Sequence, residues 1–397
     1  MCFSKPCLRF CGNRAFSIIL YYYNYKEVLA VSIDKIKIVH CADIHLDSPL
    51  RSNIINRQTL RDNFEAICKY ANEQEADLLL VCGDIIENDF VSNETAVFLE
   101  EIIKKYSNIH FVFCSGNHDY YQKGSIYDRL NFKNVTLFLK EEMESVEISA
   151  LDTVIYGFGA TTPHSANRFL KNFKVEDNNK INIMLFHGDI IDEGGNSEYY
   201  PVTKKDIENS GCDYIALGHI HKFSDINRAG QTYYAYSGTP QGKGFDETGD
   251  KGVISGTISK TSKRLDFVPI SKIRFNIVEC DITDCENNFS VKEKILQNAS
   301  NFKNDAVRLI LTGELSESNT VNIKNLEQSL KEEFFYLEIQ DNTKIKIDIE
   351  LLKEQKTLTG FLIKELMSME LSQQQLESAV KTGISVLSQD GGVEIED

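Results

Sequence analysis

Proline is scarce, at 6 of 397 residues, and glycine adds only 23, too little for a collagenous, linker-rich or mainly disordered chain. Long hydrophobic runs are missing as well. The longest apolar stretch near the start, Ala15 to Tyr23, is broken by Ser17 and falls far short of the roughly 20 residues that span a bilayer. Neither a transmembrane helix nor a membrane partner is expected. Cysteine is too sparse for a disulfide scaffold: ten are spread along the chain, and Cys41, Cys82, Cys114 and Cys212 lie in or beside apolar, strand-like runs. They read as reduced core residues of a cytoplasmic protein. Positive charge is also in deficit. Lys plus Arg number 43 against 59 Asp plus Glu, a net charge of −16, so any binding of nucleic acid must be local.

What is present is a 42% hydrophobic content, enough for a sizeable core, in a length that suits one large domain with smaller appendages. Residues 1–34 stand apart, with Cys2, Cys7 and Cys11 close together, tyrosines at Tyr21, Tyr22, Tyr23 and Tyr25, and no acid before Glu27. They are expected to be a disordered extension or a misplaced start; a packed extra element and a secretory signal are the competing readings. The three cysteines lack the fourth ligand and the spacing of a zinc site.

From Lys35 onward short apolar runs alternate with amphipathic segments. Ile36–Cys41, Asp77–Cys82, His110–Cys114, Ile181–Phe186 and Asp213–Leu217 read as buried strands, and Val154–Gly157, Thr232–Tyr236, Gly252–Ile258 and Leu265–Ile270 add further ones. Between them, Leu60, Phe64 and Ile67 in 56–75 and Val97, Phe98, Ile102 and Ile103 in 93–106 recur at helical spacing. Strand, helix, strand repeated in this way predicts a layered α/β domain over 35–272, two sheets packed face to face with helices outside. The pattern then changes to a small α+β unit over 273–349. A helical tail follows over 350–397, where Leu358, Phe361, Leu362, Leu366 and Met369 line one helix face and Leu376 and Val380 suit a second helix. From Glu350 the tail holds four lysines against nine acids, which points to a protein partner or self-docking rather than to nucleic acid.

Five of the strand-like runs stop at metal-type ligands. Asp43 and His45 follow the first, Gly83-Asp84 the second and Gly116-Asn117-His118-Asp119 the third; His187 and Gly218-His219-Ile220-His221 follow the last two. In an open α/β sheet the carboxyl ends of the strands converge, so these side chains should meet at one rim. Nitrogen and oxygen donors without a thiolate suit manganese, iron or zinc, and one bridging carboxylate, for which Asp84 is the candidate, can hold two ions about 3.5–4 Å apart.

The ordered set Asp-x-His, Gly-Asp, Gly-Asn-His-Asp, His and Gly-His-x-His resembles the calcineurin-like metallophosphoesterases. Tyr236-Ser237-Gly238-Thr239-Pro240, with Gly244-Phe245-Asp246-Glu247 and Lys251-Gly252, is similar to the SbcD-type and YhaO-like DNA repair exonucleases. The resemblance covers about residues 35–272, with the rest fitting more loosely. It implies that Asp43, His45, Asp84 and His221 hold one divalent ion and Asp84, Asn117, His187 and His219 the other, Mn2+ first and Fe2+ or Zn2+ as alternatives. His118 is then left uncoordinated to protonate the departing oxygen, with Asp119 beside it to orient it or a nearby backbone group. Many relatives continue Gly-Asp-x-x-Asp; here Glu87 takes the last position. Tyr120 is a candidate for stacking on a base, and Lys222 and Lys243, with Lys123 and Lys251, for steering DNA; packing and ordinary solvated lysines are the plainer readings.

The family's layout further implies that 273–349 is a capping subdomain that helps place DNA. It implies a tail that grips an SbcC-type coiled-coil ATPase partner, and a homodimer. The leading expectation is a metal-dependent DNA exonuclease of DNA repair. A small-molecule or cyclic-nucleotide phosphodiesterase and a noncatalytic scaffold are the alternatives.

Overall fold

A computed structural model describes residues 35–49, 54–316, 321–346 and 349–387. The expectation for residues 1–34 lies outside the described residues. The chain divides into two compact units at Phe275 and Asn276.

The first unit runs β1 (Ile36–Cys41), α1 (Arg57–Glu73), β2 (Leu78–Cys82), α2 (Asn93–Lys105), β3 (His110–Cys114), β4 (Val135–Phe138), β5 (Glu144–Ile148) and β6 (Thr153–Gly157). It continues with β7 (Ile181–His187), the short β8 (Ile190–Ile191) and β9 (Val202–Thr203), α3 (Lys204–Ser210), β10 (Tyr214–Gly218), β11 (Asn227–Ala229), β12 (Thr232–Tyr236), β13 (Gly252–Ile258) and β14 (Lys263–Pro269). Two six-stranded mixed sheets result, ordered β14-β13-β1-β2-β3-β4 and β11-β12-β10-β7-β6-β5. This is the expected pair of sheets with flanking helices.

Between the sheets lies one apolar layer: Ile36, Ile38 and Ala42 from β1 and its end, Leu78, Leu80 and Cys82 from β2, Ile183 and Leu185 from β7, Tyr214 and Ala216 from β10. Every second residue of each strand points into it, as the two-residue period of an extended chain requires. In the first sheet β1, β2, β3 and β4 are parallel, and in the second β6, β7, β10 and β12 are parallel. Each sheet therefore lines up the carboxyl ends of its ligand-bearing strands. Helix α1 begins at Asn56, whose side chain accepts from Thr59 N, and buries Leu60, Phe64 and Ile67. Helix α2 is capped by Ser92, with the buried Asp47 carboxylate accepting from Ser92 N at 2.8 Å and from Thr95 Oγ1 at 2.6 Å.

The main strands lie within a few residues of their sequence-based limits. The edge strands β4, β5 and β11 have no counterpart in that reading, because an edge is covered on one side only. Glu144–Ile148 carries three exposed residues in five and so loses the apolar signature.

The second unit holds a three-stranded sheet, ordered β15-β16-β18, of β15 (Phe275–Asp281, which starts in the first unit), β16 (Ala306–Thr312) and β18 (Tyr336–Asp341). Helices α4 (Asn288–Asn298) and α5 (Ile323–Leu330) contribute Val291, Ile295, Leu326 and Leu330 to the core over this sheet, and β17 (Glu314–Ser316) pairs with β19 (Lys344–Lys346). Helices α6 (Ile349–Glu354), α7 (Leu358–Ser368) and α8 (Gln373–Leu387) end the described chain. Here the single apolar face expected from Leu358 to Met369 is divided. Ile363 is buried with Leu352 and Val380, and Leu366 and Leu376 pack against them, whereas Leu358, Phe361 and Met369 are exposed. Ile363 was absent from the expected stripe because the apolar positions of α7 fit two adjacent helical stripes, and periodicity alone does not say which one meets a neighbour.

No helix among the described residues is long and apolar enough to cross a membrane. The seven described cysteines are all buried and free, Cys41, Cys82, Cys114 and Cys212 in line with their reading as core residues.

Candidate metal centre

All seven expected ligand side chains meet at the joined carboxyl ends of the sheets. His45 Nε2 lies 3.1 Å from His221 Nε2, and His221 Nε2 lies 3.9 Å from Asp43 Oδ1. Asp84 Oδ2 sits between two histidines, 3.8 Å from His45 Nε2 and 3.2 Å from His187 Nε2. On the far side Asn117 Oδ1 approaches His187 Nε2 at 2.9 Å and His219 Nδ1 at 3.2 Å.

The outward nitrogen of each histidine explains why the inward ones crowd together. His45 Nδ1 meets Glu87 Oε1 at 2.7 Å, His221 Nδ1 meets Glu247 Oε1 at 2.5 Å and His187 Nδ1 meets the Cys82 carbonyl at 3.0 Å. His219 Nε2 faces Asp189 Oδ1 at 3.4 Å. Carboxylates and carbonyls only accept, so the outward nitrogens carry the protons, and in neutral imidazoles the inward nitrogens are lone pairs. In that neutral form the lone pairs of four histidines converge with two carboxylates and one amide oxygen. That donor set fits a pair of divalent cations, with an orienting partner behind every histidine.

Charge and backbone agree with this fit. Burial alone would depress the pKa of His187, but the Asp84 and Asp43 carboxylates outweigh it and lift the group to about 10; the site thus favours a positive charge at His187, which a bound cation would supply in place of the proton. Burial would raise Asp84, yet His187, His45 and His118 hold it below the usual carboxylate range. Four of the seven ligands have positive φ, Asp43 at 54°, His45 at 52°, Asp84 at 53° and His219 at 108°. Conformations of this kind cost about 1–3 kcal/mol each and persist where the surroundings impose them.

The motif glycines leave room for the crowding. A Cβ on Gly116 would stand 2.3 Å from Asp84 Oδ1, and one on Gly218 would stand 1.8 Å from the Cys82 carbonyl oxygen.

The remaining candidates separate. His118 is half-exposed beside the cluster; its backbone N donates to Asp84 Oδ1 at 2.9 Å and its Nδ1 bonds Glu87 Oε2 at 2.8 Å. Glu87, the departure noted in the sequence, therefore joins a ligand histidine to His118 through its two oxygens.

Of the two roles expected for Asp119, orienting His118 or a nearby backbone group, its bonds fit the second. It is fully buried and accepts from Asp84 N at 3.1 Å, Ile85 N at 2.7 Å, Gly116 N at 2.6 Å and Tyr127 Oη at 2.7 Å. Its role is to hold the backbone of the two ligand loops. Asp119→Ala takes the acceptor from three buried backbone N–H groups and leaves Tyr127 Oη only the Cys114 carbonyl at 3.4 Å; it is expected to cost about 3 kcal/mol of stability in urea unfolding.

Tyr120 packs, half-buried, against the cluster formed by Tyr156, Phe158 and Phe186, which suits packing better than base stacking. Lys222 and Lys123 are exposed, and the Lys243 backbone N donates to Glu247 Oε2 at 2.7 Å. Lys251 is buried with its Nζ 3.4 Å from the His221 carbonyl oxygen.

Asp189 and Glu247 are the site residues that the sequence reading gave no role. Glu247 lies 26 positions from its histidine, and nothing in local spacing marks it. Tyr199, tilted by 32° against the His219 ring with centroids 4.5 Å apart, is a third.

The calcineurin-like phosphoesterase family profile matches residues 36–223. The chain is similar to an uncharacterized metallophosphoesterase, YhaO, of Bacillus subtilis, at 25% identity over 301 residues, covering 70% of this chain and 72% of that protein. It is also similar to the SbcD component of the nuclease SbcCD of Staphylococcus epidermidis, at 26% identity over 296 residues, covering 65% of this chain and 76% of that protein. The crystal structure of TT1561 of Thermus thermophilus matches at 11% identity with a TM-score of 0.38, covering 59% of this chain and 99% of that one.

Proposed function

The chain carries a calcineurin-like metallophosphoesterase domain, and on that premise we propose that it hydrolyses phosphodiester bonds of DNA, as an exonuclease of DNA repair. The observation that carries the reading is the approach of His45 Nε2 and His221 Nε2 to 3.1 Å, each imidazole having its Nδ1 on a carboxylate. Asp43, His45, Asp84 and His221 would hold one divalent ion, and Asp84, Asn117, His187 and His219 the other, with Mn2+ the first choice. When bound, such a pair lowers the pKa of water and neutralises phosphoryl charge.

His118 supplies the proton for the leaving oxygen. Its Nδ1–H is fixed on Glu87, which leaves Nε2 for that oxygen. The bond to the Glu87 carboxylate raises the His118 pKa, outweighing partial burial, so a larger share of the imidazole is in the acid form near neutral pH. Glu87→Gln removes the charge that favours this proton. The alkaline limb of the kcat/KM profile is therefore expected to move to lower pH, and an unmoved limb would remove Glu87 from this role.

DNA as the substrate draws on the similarity to the SbcD component of the nuclease SbcCD, and on the Tyr236–Pro240 and Gly244–Glu247 sequences. The exposed Leu358 and Phe361 of α7 support a helical partner, a coiled-coil ATPase of the SbcC type, with the nuclease chain as a homodimer. The protein is tested with Mn2+ on end-labelled duplex and single-stranded DNA beside a chromogenic phosphodiester. Shortening of DNA that stops on chelation is expected. Hydrolysis of the diester alone would select a small-molecule phosphodiesterase, and silence on both a noncatalytic scaffold.

A further inference from the structure

A fully buried polar pair lies inside the mainly apolar layer between the sheets, directly behind the metal centre. On β1 the inward positions read Ile36, Ile38, His40 and, just past the strand, Ala42, so a histidine interrupts a hydrophobic line. His40 and Tyr214, which faces it from β10, are both fully buried. His40 Nδ1 lies 2.8 Å from Tyr214 Oη, and His40 Nε2 lies 3.2 Å from the Leu217 carbonyl oxygen.

The carbonyl can only accept, so Nε2 carries the ring proton, and Nδ1 must accept from the tyrosine hydroxyl. One tautomer satisfies all three groups. Burial drives the His40 pKa down to about 3, which keeps that neutral form.

The position of the pair matters more than its presence. His40 stands three residues before Asp43, and Leu217 stands two before His219. Both strand ends carry two of the expected ligands, Asp43 and His45 on one, His219 and His221 on the other. Just beyond His40 the layers close: a Cβ on Gly218 would stand 3.0 Å from Ala42 Cβ. At the next level His219 N donates to both Asp43 oxygens, at 3.1 Å each. The bonds from Tyr214 to His40 to Leu217, followed by that from His219 to Asp43, form successive rungs between two sheets that share no strand pairing. Apolar packing alone is tolerant of small sliding, whereas hydrogen bonds fix separation and register.

We infer that His40 is a positioning residue that, with Tyr214, sets the distance between the β1 and β10 ends and thereby the geometry of the metal pair. This rests on the two-metal reading of the site.

The experiment uses the full chain and Mn2+ itself, following the exchange-coupled EPR signal of a manganese pair, the affinity for the second ion, and the melting temperature. His40→Gln can still donate an amide N–H to Leu217 O and accept from Tyr214 Oη, and His40→Leu can do neither. His40→Leu is expected to weaken the second ion by about 10–100-fold, the range for lost support behind a metal ligand, and to alter the coupled signal. His40→Gln should restore both to near wild type. Tyr214→Phe should weaken the ion in the wild-type background and add little once His40 is Leu.

If every variant binds both ions with the wild-type signal and only melts earlier, the pair is merely structural and the inference is wrong. Should His40→Leu fail to fold, Tyr214→Phe against His40→Gln decides the question by the same readouts. A wild-type protein with no coupled pair at saturating Mn2+ would instead overturn the two-metal reading, and the inference with it.

Discussion

Asp84→Asn is expected to lower kcat/KM about a thousandfold or more and to reduce bound metal from two ions to one or none. Asp84 places one carboxylate oxygen near the inward Nε2 of histidines from both sets, 3.8 Å from His45 and 3.2 Å from His187, whereas Asp43 Oδ1 approaches the inward Nε2 of His221 at 3.9 Å but meets His187 only at its outward Nδ1, at 4.0 Å. Its other oxygen accepts from His118 N at 2.9 Å. An amide of the same shape would keep its oxygen on that N–H and turn its NH2 toward the lone pairs, where a negative charge is needed. Removing a bridging charge takes away several kcal/mol of electrostatic stabilisation at a two-ion site. Each 1.36 kcal/mol is a factor of ten, so about 4 kcal/mol gives the expected loss. Metal analysis and steady-state kinetics on the same preparation check it. Two retained ions with activity within tenfold of wild type would contradict a bridging role.

His118→Ala should behave differently: turnover is expected to fall about 10²–10⁴-fold, the range for a lost general acid, with both ions retained. The side chain hydrogen-bonds Glu87 and lies edge-on to the His45 ring, with centroids 5.0 Å apart; the bond that matters to the cluster comes from the His118 backbone N, which alanine keeps. The deficit should also depend on the leaving group. A nitrophenolate departs without protonation, so the chromogenic diester should lose less activity than DNA, whose alkoxide leaving group needs the proton. Equal losses on both substrates, or loss of metal, would assign His118 to structure rather than to proton transfer.

The sequence exposed the strands of the site and hid its supports, for a physical reason. A buried parallel strand must be apolar on both faces, so Leu78–Cys82 and Tyr214–Gly218, buried at every position, stand out in any hydrophobicity reading. The ligands follow each strand directly, because the ends of parallel strands open onto one crevice.

Support from behind obeys no such spacing. Glu247 reaches His221 from the loop before β13, and Cys82 supports His187 with a backbone carbonyl, which any residue would provide. Asp119 was visible as a motif residue, yet its four partners are three backbone N–H groups and one tyrosine hydroxyl. Only coordinates distinguish that from orienting a neighbouring imidazole. The division of α7, with Ile363 buried and Phe361 exposed, likewise depends on where α6 and α8 lie, which the helical period does not encode.

Hydrolysis by this chain requires a cage for two cations, and its most direct test is the number of divalent ions per chain with the distance between them. It is measured by elemental analysis and by the EPR of the manganese-loaded protein. Two ions per chain at saturation, coupled at about 3.5–4 Å and lost in Asp84→Asn, is the predicted result. A single ion, or two that show no magnetic coupling, would contradict it.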